Sequence, residues 1–250
     1  MFRLFSASRK SERRPALVPQ GLRVYAIGDV HGRADLLTAL HARIAADASG
    51  ASGLRKHVIY LGDYVDRGPS SREVVEMLLS APLAGVSATH LLGNHEAMLL
   101  QFLDDAACGP EWFAIGGLAT LLSYGVALPG TGRLEEKLLA AQRGLRTNLP
   151  VAHRGFLSGL PRKVVVGDYM FVHAGVRPGI PLERQDHTDL VWIRREFLNS
   201  TAFHGKVIVH GHSFGTEPEV LPNRIGIDTG AYATGKLTCL VLEGREIRFL

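Results

Sequence analysis

Short apolar runs that end at a glycine recur three times in the first hundred residues. The runs are LRVYAI at 22–27, HVIYL at 57–61 and ATHLL at 88–92, and each is followed by a glycine and then by polar or charged residues. Runs of this length, bounded by glycine and rich in β-branched and aromatic residues, are typical of buried strands. The pattern therefore predicts three strands that each end in a polar loop.

Segments with helical periodicity follow the three loops. Apolar residues recur at helical spacing over 33–46 and 96–103, and the segment from Pro69 to Leu79 begins with serines that can cap a helix. Repeated units of strand, loop and helix predict an α/β fold with an open sheet of parallel strands.

The chain changes character after residue 105. Residues 106–160 are rich in glycine and leucine and have a helical pattern at 134–143, which predicts a mostly helical insertion on one side of the sheet. Beyond it, 163–173 predicts a hairpin that turns at Gly167 and Asp168, and 188–199 predicts a helix. Further strands are predicted at 206–210, 224–228, 237–242 and 246–249. The second half is thus expected to add a second sheet layer, more antiparallel than the first.

The length and composition are those of one globular domain, which we expect over residues 21–250. No apolar run approaches the ~20 residues that a membrane helix needs. Cys108 and Cys239 make neither a disulfide framework nor a metal-ligand spacing. We therefore expect a cytoplasmic protein without a membrane partner.

The net charge of +4 is carried by the N-terminal segment. Residues 1–20 contain five basic residues and a single acidic residue, and the rest of the chain is neutral. The segment lacks the apolar core of a secretory signal, so residues 1–20 are expected to form a flexible basic tail. Because the positive charge is confined to this segment, the sequence does not indicate a nucleic-acid partner.

Polar motifs stand directly after five of the predicted strands. They are GDVHG at 28–32, GDYVDRG at 62–68, GNHE at 93–96, HAG at 173–175 and GHS at 211–213. Ligands of open α/β sheets bind outside the carboxyl ends of the strands, so the five loops are expected to converge. Each motif alone is common in turns and helix caps, but their occurrence together favours one site.

The donors in these loops are carboxylate, imidazole and amide groups. Crowded together without a partner they would be costly, whereas around two divalent metal ions they are suitable ligands. A mixture of nitrogen and oxygen donors favours Mn²⁺, Fe²⁺ or Zn²⁺ over Ca²⁺. Six other histidines are interpreted as structural, and His210 is left open because it shares a strand face with His212. The six are His41, His57, His90, His153, His187 and His204.

These motifs resemble those of the PPP-type metallophosphatases, the family of serine/threonine protein phosphatases that also includes symmetrical diadenosine-tetraphosphate hydrolases. The resemblance runs from residue 28 to about 230, and IDTGAYATGKLTCL is similar to the C-terminal strand pair of the bacterial and phage branch. It implies a metallophosphoesterase-type two-layered β-sandwich flanked by helices (α/β/β/α), with a mostly helical insertion.

The resemblance also implies a role for each loop residue. Two divalent metal ions are implied, most commonly Mn²⁺, with Fe or Zn as alternatives, and Asp63 would bridge them. The implied ligands are Asp29, His31 and Asp63 for one ion and Asp63, Asn94, His173 and His212 for the other. His95 would be the general acid, and Asp66 would orient it. Arg67 and Arg194 would bind the phosphate together with Asn94, and Arg195 is the alternative to Arg194.

Two positions depart from the related families. The arginine that usually precedes GNHE is replaced by Leu92, which removes one phosphate-binding cation. The second histidine that follows GH in the wider metallophosphoesterase superfamily is replaced by Phe214, which fits the PPP branch.

Three functions follow from these observations. The first is hydrolysis of phosphoserine or phosphothreonine in proteins by a water shared between two metal ions, since Asp66 and Glu96 match the protein phosphatases. The second is hydrolysis of symmetrical dinucleoside polyphosphates, or a broad specificity that includes phosphotyrosine. The third is a binding protein with an inactive site. The expected partner is a phosphoprotein or a small phosphoester.

Overall fold

The computed structural model describes residues 15–80 and 83–250, which contain two five-stranded sheets and the helices around them. The strands are β1 (Leu22–Ile27), β2 (Arg55–Tyr60), β3 (Ser87–His90), β4 (Lys163–Val166), β5 (Tyr169–Val172), β6 (Val207–His210), β7 (Glu219–Val220), β8 (Arg224–Gly226), β9 (Cys239–Glu243) and β10 (Glu246–Phe249). The helices are α1 (Ala34–Ser49), α2 (Ser71–Ser80), α3 (Asn94–Asp104), α4 (Gly109–Ala114), α5 (Gly117–Ser123), α6 (Leu134–Asn148), α7 (Val151–Ser158), α8 (Asp189–Trp192), α9 (Arg195–Leu198) and α10 (Ala231–Thr234).

The two sheets pack face to face, and the side chains of β1 point alternately into two different apolar clusters. Val24 and Ala26 belong to the apolar cluster between the sheets, whereas Tyr25 and Ile27 belong to the cluster under the helices. Successive side chains of a strand point to opposite faces, so a strand that is buried on both faces reads as a continuous apolar run. A third apolar cluster, which includes Met170 of β5, covers the outer face of the second sheet. The α/β/β/α sandwich is confirmed.

The sheet order differs from the expectation in one respect. The first sheet has the order β10-β9-β1-β2-β3, so the two C-terminal strands return to it instead of joining the second sheet, whose order is β4-β5-β6-β8-β7. Each sheet contains two parallel and two antiparallel pairs. The prediction that the second sheet is more antiparallel is therefore wrong. Local patterns define strands but not the neighbours with which they pair.

The helical insertion agrees with the prediction, and the helix expected at 188–199 does not. Helices α4 to α7 occupy most of residues 106–160. The segment 188–199 forms two short helices, α8 and α9, that are separated at Ile193 and Arg194. This break allows Ile193 to lie in the third apolar cluster while Arg194 reaches His212.

The predicted tail boundary at residue 20 is wrong. Val18 is 1% exposed, lies in the cluster between the sheets, and donates its backbone N–H to Gly244. The backbone N–H of Leu17 donates to Asp168 at 3.1 Å. Residues 15–20 therefore belong to the folded domain, and the remainder of the predicted tail, residues 1–14, lies outside the described residues. None of the helices within residues 15–80 and 83–250 combines the length and apolar character that crossing a bilayer requires.

Val18→Ala is expected to lower the free energy of unfolding by about 2 kcal/mol, because it removes two buried methyl groups and leaves a small cavity. Urea denaturation of the full chain measures the change. Val151→Ala is the matched control, since Val151 is 90% exposed. Equal effects of the two substitutions would mean that the segment before β1 does not stabilise the domain.

Candidate active site

The polar loops that follow β1, β2, β3, β5 and β6 converge at the carboxyl ends of these strands. All six predicted metal-ligand residues are buried there, and they come from both sheets: Asp29, His31, Asp63, Asn94, His173 and His212. The predicted dyad of His95 and Asp66 is buried beside them. The structure thus brings together eight side chains that are distributed over 184 positions of the sequence.

The backbone of the loops is held in an uncommon conformation. Five non-glycine residues in the described part of the chain have positive φ, and all five belong to the site: His31, Asp63, Asp66, Arg67 and His212, with φ from 45° to 72°. Such angles are unfavourable for most side chains and persist where the surrounding structure enforces them. The strain is concentrated where the side chains must point toward one another.

Glycine permits the close approach of two of these loops. A Cβ atom at Gly93 would collide with the carboxylate and backbone of Asp63. Glycine at this position therefore allows the loop after β3 to pack directly on the loop after β2.

Two histidines present an Nε2 atom to Asp63. The Nδ1 atom of His31 lies 2.9 Å from the carbonyl of Val65, and that of His173 lies 2.9 Å from the carbonyl of Leu61. A carbonyl can only accept, so each Nδ1 carries a proton, and in the neutral form of either ring Nε2 offers its lone pair to a metal ion. The Nε2 atoms lie 3.5 Å and 3.3 Å from the Asp63 carboxylate. This is the arrangement in which histidines bind metal ions in proteins.

The charge at the centre of the cluster also fits a cation. Burial opposes ionisation of Asp63, but the attraction of His173 and His95 prevails and holds its pKa well below the usual range. Burial, and then the nearby carboxylates of Asp228 and Asp63, raise the pKa of Asp29 well above its ordinary value. Nε2 of His31 is buried without a hydrogen-bond partner. Crowded carboxylates beside an unpartnered imidazole nitrogen are the electrostatic conditions that a bound divalent metal relieves.

Two sets of potential ligands have donor atoms within 4.8 Å of one another. One is His31, Asp63 and His95, and the other is Asp63, His173 and His212, so Asp63 is common to both. Asn94 lies beside the second set, with Oδ1 2.9 Å from Nε2 of His173. Asp29 belongs to neither set and instead accepts the backbone N–H of His212 at 3.0 Å. Its role as a ligand stays a prediction.

His95 and Asp66 form a close pair. Nδ1 of His95 lies 2.7 Å from Oδ2 of Asp66, which leaves Nε2 directed toward Asp63 at 3.7 Å. Burial alone would lower the pKa of His95, but the charges of Asp63 and Asp66 together raise it above its ordinary value. The two carboxylates therefore favour a protonated His95 with Nε2–H toward the metal-ligand cluster. Arg67, which can only donate, must then leave the 3.2 Å contact that it makes with Nε2.

The helical insertion donates two hydrogen bonds to Asp66 of this pair. The sequence did not predict this contribution of the insertion. Trp112 of α4 donates its indole N–H to Asp66 at 2.9 Å, and the hydroxyl of Thr120 of α5 donates to the other carboxylate oxygen at 2.5 Å. The insertion also accepts the backbone N–H of Arg67 through the carbonyl of Gly116. It is therefore part of the site and orients the side chain that contacts His95.

Glu96 has a structural role in the loops. Its buried carboxylate accepts the backbone N–H groups of Asp63 at 2.8 Å, Tyr64 at 2.7 Å and Gly93 at 3.0 Å. Burial and the charge of Asp63 raise its pKa to about 7. Glu96 thus joins the loop after β2 to the start of α3 and does not face the open side of the site.

Two arginines flank the cluster. The guanidinium of Arg67 lies 3.2 Å from Nε2 of His95 and over the ring of Tyr232, 4.7 Å from its centre. Arg194 donates its Nε–H to Nε2 of His212 at 2.9 Å, which leaves Nδ1 as the nitrogen of His212 that can bind a metal ion. The site contact of Arg194 favours it over Arg195, which begins α9.

The structure also places three residues whose contacts the sequence left open or did not identify. Leu92 is buried in the apolar cluster under the helices, where it cannot replace the missing arginine. His210 is buried next to the site but belongs to neither ligand set, and its Nε2 atom has no partner. Asp228, which sequence reasoning missed, lies near Asp29, and its signal was an acidic residue at the end of a predicted strand.

Asp66→Asn is expected to move the alkaline limb of the kcat–pH profile to lower pH. His95 must be protonated to act as an acid, so activity is lost as pH rises through its raised pKa. Loss of the Asp66 charge lowers that pKa, and the activity is then lost earlier. The measurement is kcat against pH with an alkyl phosphate.

Asparagine tolerates the positive φ of residue 66, so the variant keeps the loop. Asp104→Asn, at an exposed position of α3, is the charge-matched control. An alkaline limb that does not move in Asp66→Asn would show that Asp66 does not set the protonation of His95.

Comparison with known proteins identifies a family and several relatives. The sequence profile of the calcineurin-like phosphoesterases matches residues 22–237. A relative from Bacillus cereus strain B4264, named bis(5'-nucleosyl)-tetraphosphatase PrpE [asymmetrical], is 28% identical over 238 residues, which cover 86% of this chain and 88% of the relative.

Solved structures with the same fold include two that cover most of the chain. One, named as a candidate diadenosine tetraphosphatase, has a TM-score of 0.63 at 22% identity and covers 95% of this chain and 98% of its own. Another is a cold-active protein-tyrosine phosphatase of a psychrophilic Shewanella species, with a TM-score of 0.55 at 17% identity, covering 93% of this chain and 80% of its own. At these identities the similarity establishes the fold alone.

Proposed function

This chain belongs to the calcineurin-like phosphoesterase family, a family of metal-dependent phosphoesterases, and we propose that it hydrolyses dinucleoside polyphosphates with two divalent metal ions. The observation that carries the proposal is the buried cluster in which three imidazoles surround Asp63 while His95 is held by Asp66. Mn²⁺ is the proposed metal, with Fe or Zn as alternatives.

The residues that would bind the metals are the predicted set Asp29, His31, Asp63, Asn94, His173 and His212. When bound, the two ions would polarise the phosphoryl oxygens and lower the pKa of the attacking water. Asp63 would be shared between the ions, because it belongs to both sets of donor atoms.

The chain itself would bind the phosphate and supply a proton. Arg67 and Arg194 lie on two sides of the cluster and would neutralise charge on the phosphoryl oxygens, which is electrostatic stabilisation of the kind used in phosphoryl transfer. His95 would donate the proton on Nε2 to the departing oxygen, since its Nδ1 is held by Asp66. Asp66 would keep that proton in place through its charge.

The choice of dinucleotide substrates rests on two points. A relative from Bacillus cereus whose alignment covers 86% of this chain is named a bis(5'-nucleosyl)-tetraphosphatase. Glu96, one of two residues that favoured protein phosphatases in the sequence, contacts backbone N–H groups inside the loops and is buried. It therefore supports the loops and supplies no argument about the substrate.

A serine/threonine protein phosphatase is the second candidate function. One observation favours it. Trp112 and Thr120 hold Asp66, which contacts His95, and the raised pKa of His95 suits protonation of a poor alkoxide leaving group. A polyphosphate leaving group needs less help from an acid.

The test is kcat/KM for diadenosine tetraphosphate and for a phosphoserine peptide on one Mn²⁺-loaded preparation. The proposal predicts that the dinucleotide is preferred by at least about tenfold, equivalent to roughly 1.4 kcal/mol of transition-state stabilisation. A peptide preference of the same size would replace the proposal by the second candidate. Full activity of a metal-free preparation would contradict both.

A further inference from the structure

Asp228 stands just beyond the carboxyl end of β8, at the edge where the polar loops of the site converge. Strand β8 runs parallel to β6, with Gly226 opposite His210. The backbone N–H of Ile227 donates to the carbonyl of His210 at 2.9 Å, and that of Gly215 donates to the carbonyl of Asp228 at 3.0 Å. Because the carboxyl ends of parallel strands meet at one edge of a sheet, the loop after β8 joins the five loops that carry the predicted site residues.

The carboxylate of Asp228 lies close to that of Asp29. A Cβ atom at Gly28 would collide with the backbone that precedes Asp228 and would lie 3.5 Å from the Cα atom of Asp228, so the ends of β1 and β8 pack directly on each other. After burial, the charge of Asp228 is the largest cause of the raised pKa of Asp29. Burial, and also the charge of Asp63, raise the pKa of Asp228. Asp228 therefore adds a third carboxylate to the side of the cluster that contains Asp29.

This carboxylate is buried and has a partner on one oxygen atom alone. Asp228 is 6% exposed, and its Oδ1 atom accepts the backbone N–H of Gly230 at 2.9 Å. Within residues 15–80 and 83–250, neither a hydrogen-bond donor nor a cationic side chain contacts Oδ2. A carboxylate oxygen buried without a partner is costly, so Oδ2 indicates a positively charged or hydrogen-bond-donating ligand. Nε2 of His31, in the same cluster, is also buried without a partner.

The charges around Asp228 favour a cation over a neutral ligand. In the part of the chain that the structure describes, neither lysine nor arginine forms an ion pair with Asp29, Asp63 or Asp228; Asp63 has histidine partners alone. A neutral molecule would leave the repulsion between the carboxylates in place, whereas a divalent cation removes it. Asp228 belongs to neither set of close donor atoms, so it fits a carboxylate outside the direct ligands, of the kind that tunes metal affinity in proteins.

We propose that Asp228 is a supporting carboxylate of the metal centre, which attracts the ion that Asp29 and His31 would bind and accepts hydrogen bonds, through Oδ2, from water at that ion. The inference rests on the metal dependence of the proposed function and adds a residue that the predicted ligand set lacks. The alternative is that Asp228 serves the turn before α10 alone, through its contact with Gly230.

Two substitutions remove the charge of Asp228 and keep an acceptor for the N–H of Gly230. Asp228→Asn retains an oxygen of nearly the same position, and Asp228→Ser supplies a hydroxyl that can also accept. Asp105→Asn is the matched control. Asp105 is exposed, and its Oδ1 atom accepts the backbone N–H of Ala107, also two residues further on, at 2.9 Å.

The first measurement is calorimetric titration of Mn²⁺ into the chelator-treated full chain. Both Asp228 variants are expected to weaken the Kd of one of the two ions by about 10–100-fold, the usual effect of losing a residue that supports metal ligands. Asp105→Asn is expected to bind both ions as the wild type does. Unchanged Kd values for both ions in both Asp228 variants would overturn the inference and leave the proposed function standing.

The second measurement is the thermal unfolding midpoint with and without saturating Mn²⁺. Without metal, Asp228→Asn is expected to unfold at or above the wild-type midpoint, because it removes a negative charge beside Asp29 and Asp63. The rise that Mn²⁺ causes is expected to be smaller in the variant, since weaker binding stabilises less. A lower metal-free midpoint together with the full rise would assign Asp228 to the turn alone and overturn the inference.

The third measurement repeats the titration in an Asp29→Asn background. If Asp228 acts on the ion at Asp29, then Asp228→Asn is expected to cause no further loss of affinity there, because coupled residues are not additive. A further loss of tenfold or more would place Asp228 at the other ion and overturn the assignment.

Binding is measured without substrate, so the inference and the proposed function can fail separately. Weakened Mn²⁺ binding in the Asp228 variants supports the inference even if diadenosine tetraphosphate is not hydrolysed. A wild-type chain that binds none of Mn²⁺, Fe²⁺ and Zn²⁺ would overturn both.

Discussion

Asp63→Asn is expected to remove bound divalent metal from the protein and to lower kcat/KM at least about a thousandfold. Asp63 is common to both sets of donor atoms, and Nε2 atoms of His31 and His173 lie 3.5 Å and 3.3 Å from its carboxylate. Loss of its negative charge leaves the imidazoles without the ligand that would join two ions. Metal ions contribute several kcal/mol to transition-state stabilisation, and a thousandfold effect corresponds to about 4 kcal/mol.

The substitution separates a metal role from a folding role. Asparagine has nearly the shape of aspartate and tolerates the φ of 52° at this position, so the loop should persist. Metal content by elemental analysis and kcat/KM are measured together, with the exposed Asp35→Asn as control. A variant that retains two ions and near wild-type activity would show that Asp63 does not bridge them.

His95→Asn is expected to lower kcat by about 10²–10⁴-fold for an alkyl phosphate and by less for p-nitrophenyl phosphate. General acid catalysis contributes on this scale, and an aryl leaving group needs less protonation than an alkoxide. The raised pKa of His95, caused by Asp63 and Asp66 against the effect of burial, supports its role as the acid. The measurement is kcat for both substrates at a pH below the alkaline limb.

Metal analysis of His95→Asn distinguishes two roles of this residue. His95 also belongs to one set of potential ligands, so it could bind a metal instead of donating a proton. Retained metal with unequal losses for the two substrates supports the acid. Equal losses together with loss of metal would assign His95 as a ligand. The exposed His187→Asn is the control, since no predicted function involves it.

The loops of the candidate site could be located from the sequence because their signals are local. Asp29, Asp63 and Asn94 each follow a short apolar run and a glycine, and the carboxyl ends of parallel strands meet at one edge of a sheet. Residue type then indicated metal chemistry. The partners of each nitrogen atom, such as the carbonyls of Val65 and Leu61, could not be predicted, because they depend on backbone conformation at positive φ.

The contribution of the insertion had no local signal. Trp112 and Thr120 lie 46 and 54 positions after Asp66, in helices whose apolar pattern predicts packing alone. Contacts of this kind arise from the way separate segments pack.

The sequence by itself determined the kind of fold, the loops that bear the site and the chemical types of its side chains, because strand periodicity, glycine and ligand chemistry act over a few neighbouring residues. Only the tertiary structure decided that β9 and β10 return to the first sheet, that Val18 is part of the core, and that the insertion holds Asp66. Strand pairing and burial depend on how segments that are distant in the chain pack together. This packing depends on the shape and chemistry of large surfaces, so a local sequence pattern does not predict it.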